Sequence, residues 1–251
     1  MSARRLIVNA DDLGRTAGVN DGIFEAHRGG IVTSATLMVV YDSAADAARR
    51  LGEHPGLGVG LHVQLSGGRP LLSPAEVPSL VDEAGLLPRR PSGLGAARRD
   101  DVEREVRAQL ARFEELVGRA PTHLDSHHHS HARPLVCDVV AEIAHERSLP
   151  VRNASPEVAA LLRARGVRTT DAFDARFYDE GVTLECLEAA LDELPEGTTE
   201  LMCHPGRADE ELRAGSTYAD ARDLEIRLLC APAVRERIGR LGIELVHFGD
   251  L

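Results

Sequence analysis

Residues 5–40 read RLIVNADDLGRTAGVNDGIFEAHRGGIVTSATLMVV, and the two apolar runs at its ends decide the fold. Arg5–Asn9 and Thr33–Val40 are rich in aliphatic and β-branched residues, while Gly18–Arg28 between them has helical character. Strand, helix and strand in that order form a βαβ unit, which joins parallel strands.

The pattern recurs along the chain. A third strand, Leu57–Val63, is followed by a Gly-, Pro- and Ser-rich stretch at about 65–100. Next comes a charged helix, Asp101–Gly118, with Val102, Val106, Leu110, Phe113 and Val117 three or four residues apart. Further strands are expected at Thr122–Ser126, Leu149–Asn153, Val167–Phe173, Thr199–Cys203 and Glu244–Phe248. Helices are expected at Pro134–Arg147, Pro156–Gly166 and Leu184–Leu194, with helical material up to Leu241. Eight strand–helix units predict an α/β fold, a distorted TIM-like (β/α) barrel in a single domain over residues 1–251. The 65–100 insertion reads equally well as a lid over the site or as a tolerated surface excursion.

A chain of 251 residues suits one such domain. With 29 basic and 40 acidic residues the net charge is −11, the wrong sign for a nucleic-acid surface. Aromatic residues make up 3% and Trp is absent, which argues against base stacking. The apolar run near the N-terminus is too short for a signal peptide, and none reaches the ~18–20 apolar residues of a membrane span. Cys137, Cys186, Cys203 and Cys230 are far apart and form no CxxC pair, as expected of reduced thiols in a cytoplasmic protein. A neutral, polar partner molecule fits this composition, and a homodimer is compatible with it.

In a barrel of this type, catalytic groups sit at the C-terminal ends of strands. Asp11 and Asp12 follow the first strand, His62 ends the third, Asp125 and His127 the fourth, Arg152 the fifth and His204 the seventh. Residues 123–131, HLDSHHHSH, hold five of the 11 histidines, and neutral imidazole is a common metal ligand. Two adjacent buried carboxylates need a cation, and a divalent ion can take one Asp as a ligand and leave the other as a base. His62 then fills a ligand vacancy, since two His and one carboxylate with open positions make a hydrolytic metal site.

Within the histidine run, His127 and His131 share a face if the chain turns helical, whereas His127 and His129 do if it stays extended. His128 and His131 therefore remain alternatives to His127 as the ligand. His204, in MCHPG, is a candidate general acid. Asp125 and His129 are candidate supporting residues, with Asp125 fixing the tautomer of a neighbouring imidazole. Arg152 is placed to bind substrate or to pair with the acidic dyad.

These same segments resemble the YdjC-like family, which includes chito-oligosaccharide deacetylases. The resemblance rests on LIVNADDLG at 6–14, GIVTSATLMV at 30–39, GLH at 60–62, PTHLDSHHHSH at 121–131 and MCHPG at 202–206. It implies a divalent-metal-dependent hydrolase that removes acetyl groups from N-acetylated sugars. Asp12, His62 and His127 would then bind the metal and Asp11 would act as the base. It also implies magnesium, whereas two imidazoles point to zinc or another transition ion. Leu13 stands where the family usually has Phe, and Ser130 where Val is common. Two other classes compete: a phosphoester hydrolase, which would need two metals and more carboxylates, and a sugar- or metal-binding protein without catalysis.

Overall fold

The computed structural model describes residues 3–251. The elements are β1 (Arg4–Leu13), α1 (Ala17–Gly29), β2 (Ser34–Leu37), α2 (Ala44–Arg50), β3 (Gly58–Val63), α3 (Arg99–Val117), β4 (Leu124–Ser126) and α4 (Pro134–Arg147). They continue with α5 (Pro156–Ala164), β5 (Ala172–Asp174), α6 (Leu184–Asp192), β6 (Gly197–Cys203), α7 (Glu210–Gly215), α8 (Ala221–Leu229), α9 (Pro232–Leu241) and β7 (Glu244–Leu245). Residues 6–13 of β1 and all of β3 are buried, as in parallel strands covered on both faces. Hydroxyl caps start the crossover helices: Thr16, Ser155 and Thr183 accept the backbone N–H of Val19, Val158 and Cys186.

All strand pairings are parallel, in the order β4-β3-β2-β1-β6-β5. The sheet curls into a distorted barrel, and irregular backbone joins its two ends. Leu124 N–H bonds the Pro150 carbonyl, Val151 N–H the Arg168 carbonyl, and Asp171 N–H the Thr198 carbonyl.

Three expected strands are therefore corrected, the first being Val167–Phe173, of which the strand Ala172–Asp174 (β5) keeps only the last two residues. Leu149–Asn153 contributes one bridge, Val151 to Leu124, rather than a strand. Pro150 has no N–H to offer a ladder. Glu244–Phe248 shrinks to a two-residue strand on β1 at Arg5 and Leu6, and β6 pairs with β1 directly. The eighth stave is thus missing from the ring. The 65–100 segment is anchored rather than loose. Leu65, Val77, Leu80, Leu87 and Leu94 join the core, and the buried Glu105 of α3 accepts the N–H groups of Leu71 and Leu72. Among the described residues, no helix is long and apolar enough to cross a membrane, and all four cysteines are free.

Candidate metal centre and active site

The end of β1 organises the site. Side chains in a regular strand alternate between faces, so Asp11 and Asp12 should point opposite ways. The register between β1 and β2 shifts between Ala10 and Leu13, and Asp12 takes a left-handed backbone with φ 71°. Such a bulge re-aims a side chain, and here both carboxylates reach the same mouth. Gly14 completes the turn at φ 87°, where a Cβ would lie 2.8 Å from a Leu37 methyl carbon.

Asp12 Oδ1 lies 3.1 Å from His127 Nδ1 and 3.5 Å from His62 Nε2. These three atoms form a group able to hold a metal ion. Bonds of about 2.1 Å at ordinary angles put neighbouring donor atoms roughly 3.0–3.4 Å apart, so the spacing fits a divalent ion. The environment fits as well, because Asp12 Oδ1 is buried without a hydrogen-bond partner. Burial opposes charge on His62, yet Asp125, Asp11 and Asp12 overcome it and lift its pKa to about 9. Without a metal, this pocket draws in a proton as its cation. Burial instead lowers the pKa of His127 and keeps it neutral, the form a ligand needs.

Neighbouring strands supply the support. His62 on β3 faces Asp125 on β4 across the ladder, and Nδ1 stands 2.7 Å from Asp125 Oδ1. That contact turns Nε2 toward Asp12. Thr36 of β2 donates to Asp125 Oδ2 at 3.1 Å.

Arg152, fully buried, holds Asp11 with two hydrogen bonds of 2.6 and 2.7 Å, lies 3.0 Å from Asp125 and donates to Glu200. Burial alone would raise the Asp11 pKa, but Arg152 holds the carboxyl below the usual carboxylate range. Asp11, His62 and Asp125 also lie within ligand distance of one another. That second group already has its cation in Arg152.

The histidine run is neither helical nor extended. His128 and His129 adopt left-handed conformations (φ 55° and 53°) inside a tight turn at His127–Ala132. Only His127 of the run meets Asp12 and His62. His128 Nδ1 contacts Ser66 Oγ at 3.0 Å, and His131 turns inward onto Ser126. His129 lies edge-on to Phe173, its ring beside that of His131. His204, just after β6, places Nε2 3.9 Å from Asp11 Oδ2, and burial lowers its pKa to about 3.

The chain that brings two aspartates and three histidines to one barrel mouth has known relatives. The YdjC-like protein family matches residues 5–240. The chain belongs to the YdjC-like family.

Among its relatives is a carbohydrate deacetylase of Geobacillus stearothermophilus, 45% identical over 248 residues and 98% of each chain. A chitooligosaccharide deacetylase of Serratia marcescens is 40% identical over 256 residues, again 98% of each. A crystal structure from Enterococcus faecalis V583, described as a candidate cellobiose-phosphate cleavage protein, is 34% identical with a TM-score of 0.94. That match covers 99% of both chains.

Three further residues around this site carry no clear signal of their role in the sequence or were passed over there. Arg222 of α8 donates to Asp12 Oδ2, which leaves Oδ1 for a metal. Glu225, one turn on, accepts the backbone N–H of His204 and the Tyr218 hydroxyl. Both residues sit in helical sequence with no local signal. Glu200 had one, a charge within the buried β6 run TTELMC.

Proposed function

We propose that this YdjC-like protein is a divalent-metal-dependent hydrolase that removes acetyl groups from N-acetylated sugars of the chito-oligosaccharide class. The observation that carries the reading is the donor set of buried Asp12 and His62 with the nearly buried His127, with Asp11 and His204 beside it and outside it. The deacetylase relatives at 40–45% identity over nearly the whole chain support the same reaction class.

An ion held by those three residues would polarise the acetyl carbonyl and acidify a water. The protein's own groups do the rest. Asp11, aimed by its two bonds to Arg152, accepts the proton of the attacking water. Arg152 keeps that carboxylate ionised until the proton arrives. His204 protonates the departing sugar amine. Burial keeps its imidazole neutral at rest, so the proton it delivers is the one Asp11 has taken from water, passed from Asp11 Oδ2 to His204 Nε2 across 3.9 Å as negative charge develops on the substrate. Asp125 holds the Nδ1 proton of His62 and so keeps Nε2 free as a donor atom. Two imidazoles and one carboxylate suit zinc, cobalt or another transition ion better than magnesium. The 65–100 insertion forms one wall of the substrate cleft. Its first residues, Ser66 and Gly67, lie against His128 and His127.

The test is acetate release from diacetylchitobiose by metal-stripped protein supplied with magnesium, zinc, cobalt or nothing. Release that depends on an added ion supports the proposal. Uptake of one ion per chain with no acetate released under any condition refutes it for this substrate class. Two ions per chain would favour phosphoester hydrolysis, a reading that Arg152 in the second carboxylate group opposes.

A further inference from the structure

Beyond the candidate metal ligands and proton carriers, the mouth holds an aromatic pair that the chemistry above leaves unused. Tyr178 is 41% exposed and is the exposed large hydrophobic side chain among the described residues. Its neighbour Phe177 is fully buried, so the exposure does not come from a loose segment. The turn beneath it is tightly built. Gly181 N–H bonds the Tyr178 carbonyl at 2.9 Å, and Arg176 N–H bonds Asp174 at 2.9 Å.

The Tyr178 ring stacks on Tyr218 with centroids 4.4 Å apart and planes 24° from parallel. Both rings flank His204, at 5.2 and 5.6 Å. Tyr218 is fixed from behind, because its hydroxyl bonds Glu225, the same carboxyl that takes the His204 backbone N–H. The Arg222 guanidinium lies over the Tyr218 ring at 5.5 Å while bonding Asp12. The pair is thus tied to both the proton donor and the metal-binding carboxylate, with one aromatic ring left partly open to solvent.

An aromatic ring presented on a rigid support offers contact area at little cost in conformational entropy. A pyranose ring has a face of C–H groups suited to such a surface, and C–H groups interact favourably with aromatic rings. We propose that Tyr178, seated on Tyr218, is the platform for a second sugar ring, which makes the site selective for oligosaccharides over single N-acetylated sugars. The inference rests on the deacetylase reading and adds a specificity-determining residue to it.

The chain lacks Trp, so Tyr178→Trp introduces a lone fluorophore at the platform. The expected result is a saturable change in its emission with diacetylchitobiose and none with N-acetylglucosamine at equal concentration. In parallel, Tyr178→Ala should shrink the kcat/KM advantage of the disaccharide over the monosaccharide roughly 3–10-fold, mostly through KM, and Tyr178→Phe should restore it. A merely structural role would lower both substrates alike. Silent emission and an unchanged ratio, in an enzyme that does release acetate, overturn the platform and leave the deacetylase reading standing. Silent emission without acetate release from either sugar overturns both. An emission change without acetate release supports the platform and overturns the chemistry.

Discussion

Substituting Asp125 with Asn removes one charge from the site and almost no volume, and its effect on metal affinity should reverse in importance with pH. In the native site Asp125 Oδ1 lies 2.7 Å from His62 Nδ1, and Oδ2 lies 3.0 Å from Arg152 and accepts from Thr36. An amide cannot accept from all sides. If its oxygen faces Arg152, its NH2 faces His62 and selects the wrong tautomer, with the proton on the metal-facing nitrogen. Loss of such a supporting carboxylate costs roughly 10–100-fold in metal affinity.

A second effect opposes the first. His62 of the metal-free protein is lifted to about 9, against burial, by Asp125 and then by Asp11 and Asp12. At pH 7 a metal must displace that proton, which weakens apparent binding roughly 100-fold. The Asn variant relieves much of this competition. Native affinity should therefore climb about tenfold per pH unit from 7 to 9, while the variant's curve stays flatter. The two should approach each other near pH 7 and separate by 10–100-fold above pH 9. Competition of zinc or cobalt against a chromophoric chelator across that range reads both curves, with circular dichroism checking the fold. Equal affinities above pH 9 would refute the orienting role of Asp125, and parallel slopes would refute the proton competition.

Three further outcomes follow from the same geometry. Asp11→Asn should keep one ion per chain and lose about 10²–10⁴ in kcat, since Asp11 lies outside the donor set, and retained turnover would reject it as the base. His127→Ala should lose the ion while His128→Ala keeps it, read by elemental analysis after dialysis; loss in the second variant alone would reverse the assignment. The raised pKa of His62 stabilises the metal-free protein fully below about pH 6.5, and that stability is lost as pH rises toward 9. The loss should be on the order of 3 kcal/mol in urea unfolding and should vanish when metal is bound. A flat profile for the metal-free protein would show that His62 is not protonated there.

The folding pattern was legible because strand and helix periods are local properties. The runs at Arg5–Asn9 and Leu57–Val63 became β1 and β3, and the helix expected at Pro134–Arg147 is α4. Leu149–Asn153 looked as apolar as its neighbours, but strand pairing is decided by what lies alongside, and Pro150 denies that run a ladder. Glu244–Phe248 met the same limit, since β6 had already taken the edge of β1.

The site divides along the same line. Sequence by itself determined which chemistry was available, because strand-terminal Asp, His and Arg residues gather at one end of any parallel barrel. Tertiary structure alone decided which imidazole of the run meets Asp12, since that depends on left-handed turns at His128 and His129 that side-chain identity does not dictate. It also decided that Asp11 and Asp12 face the same way, through a bulge, and that Arg222, 210 residues from Asp12, closes the far side. Periodicity records which face of an element is buried; it holds no record of the partner waiting there.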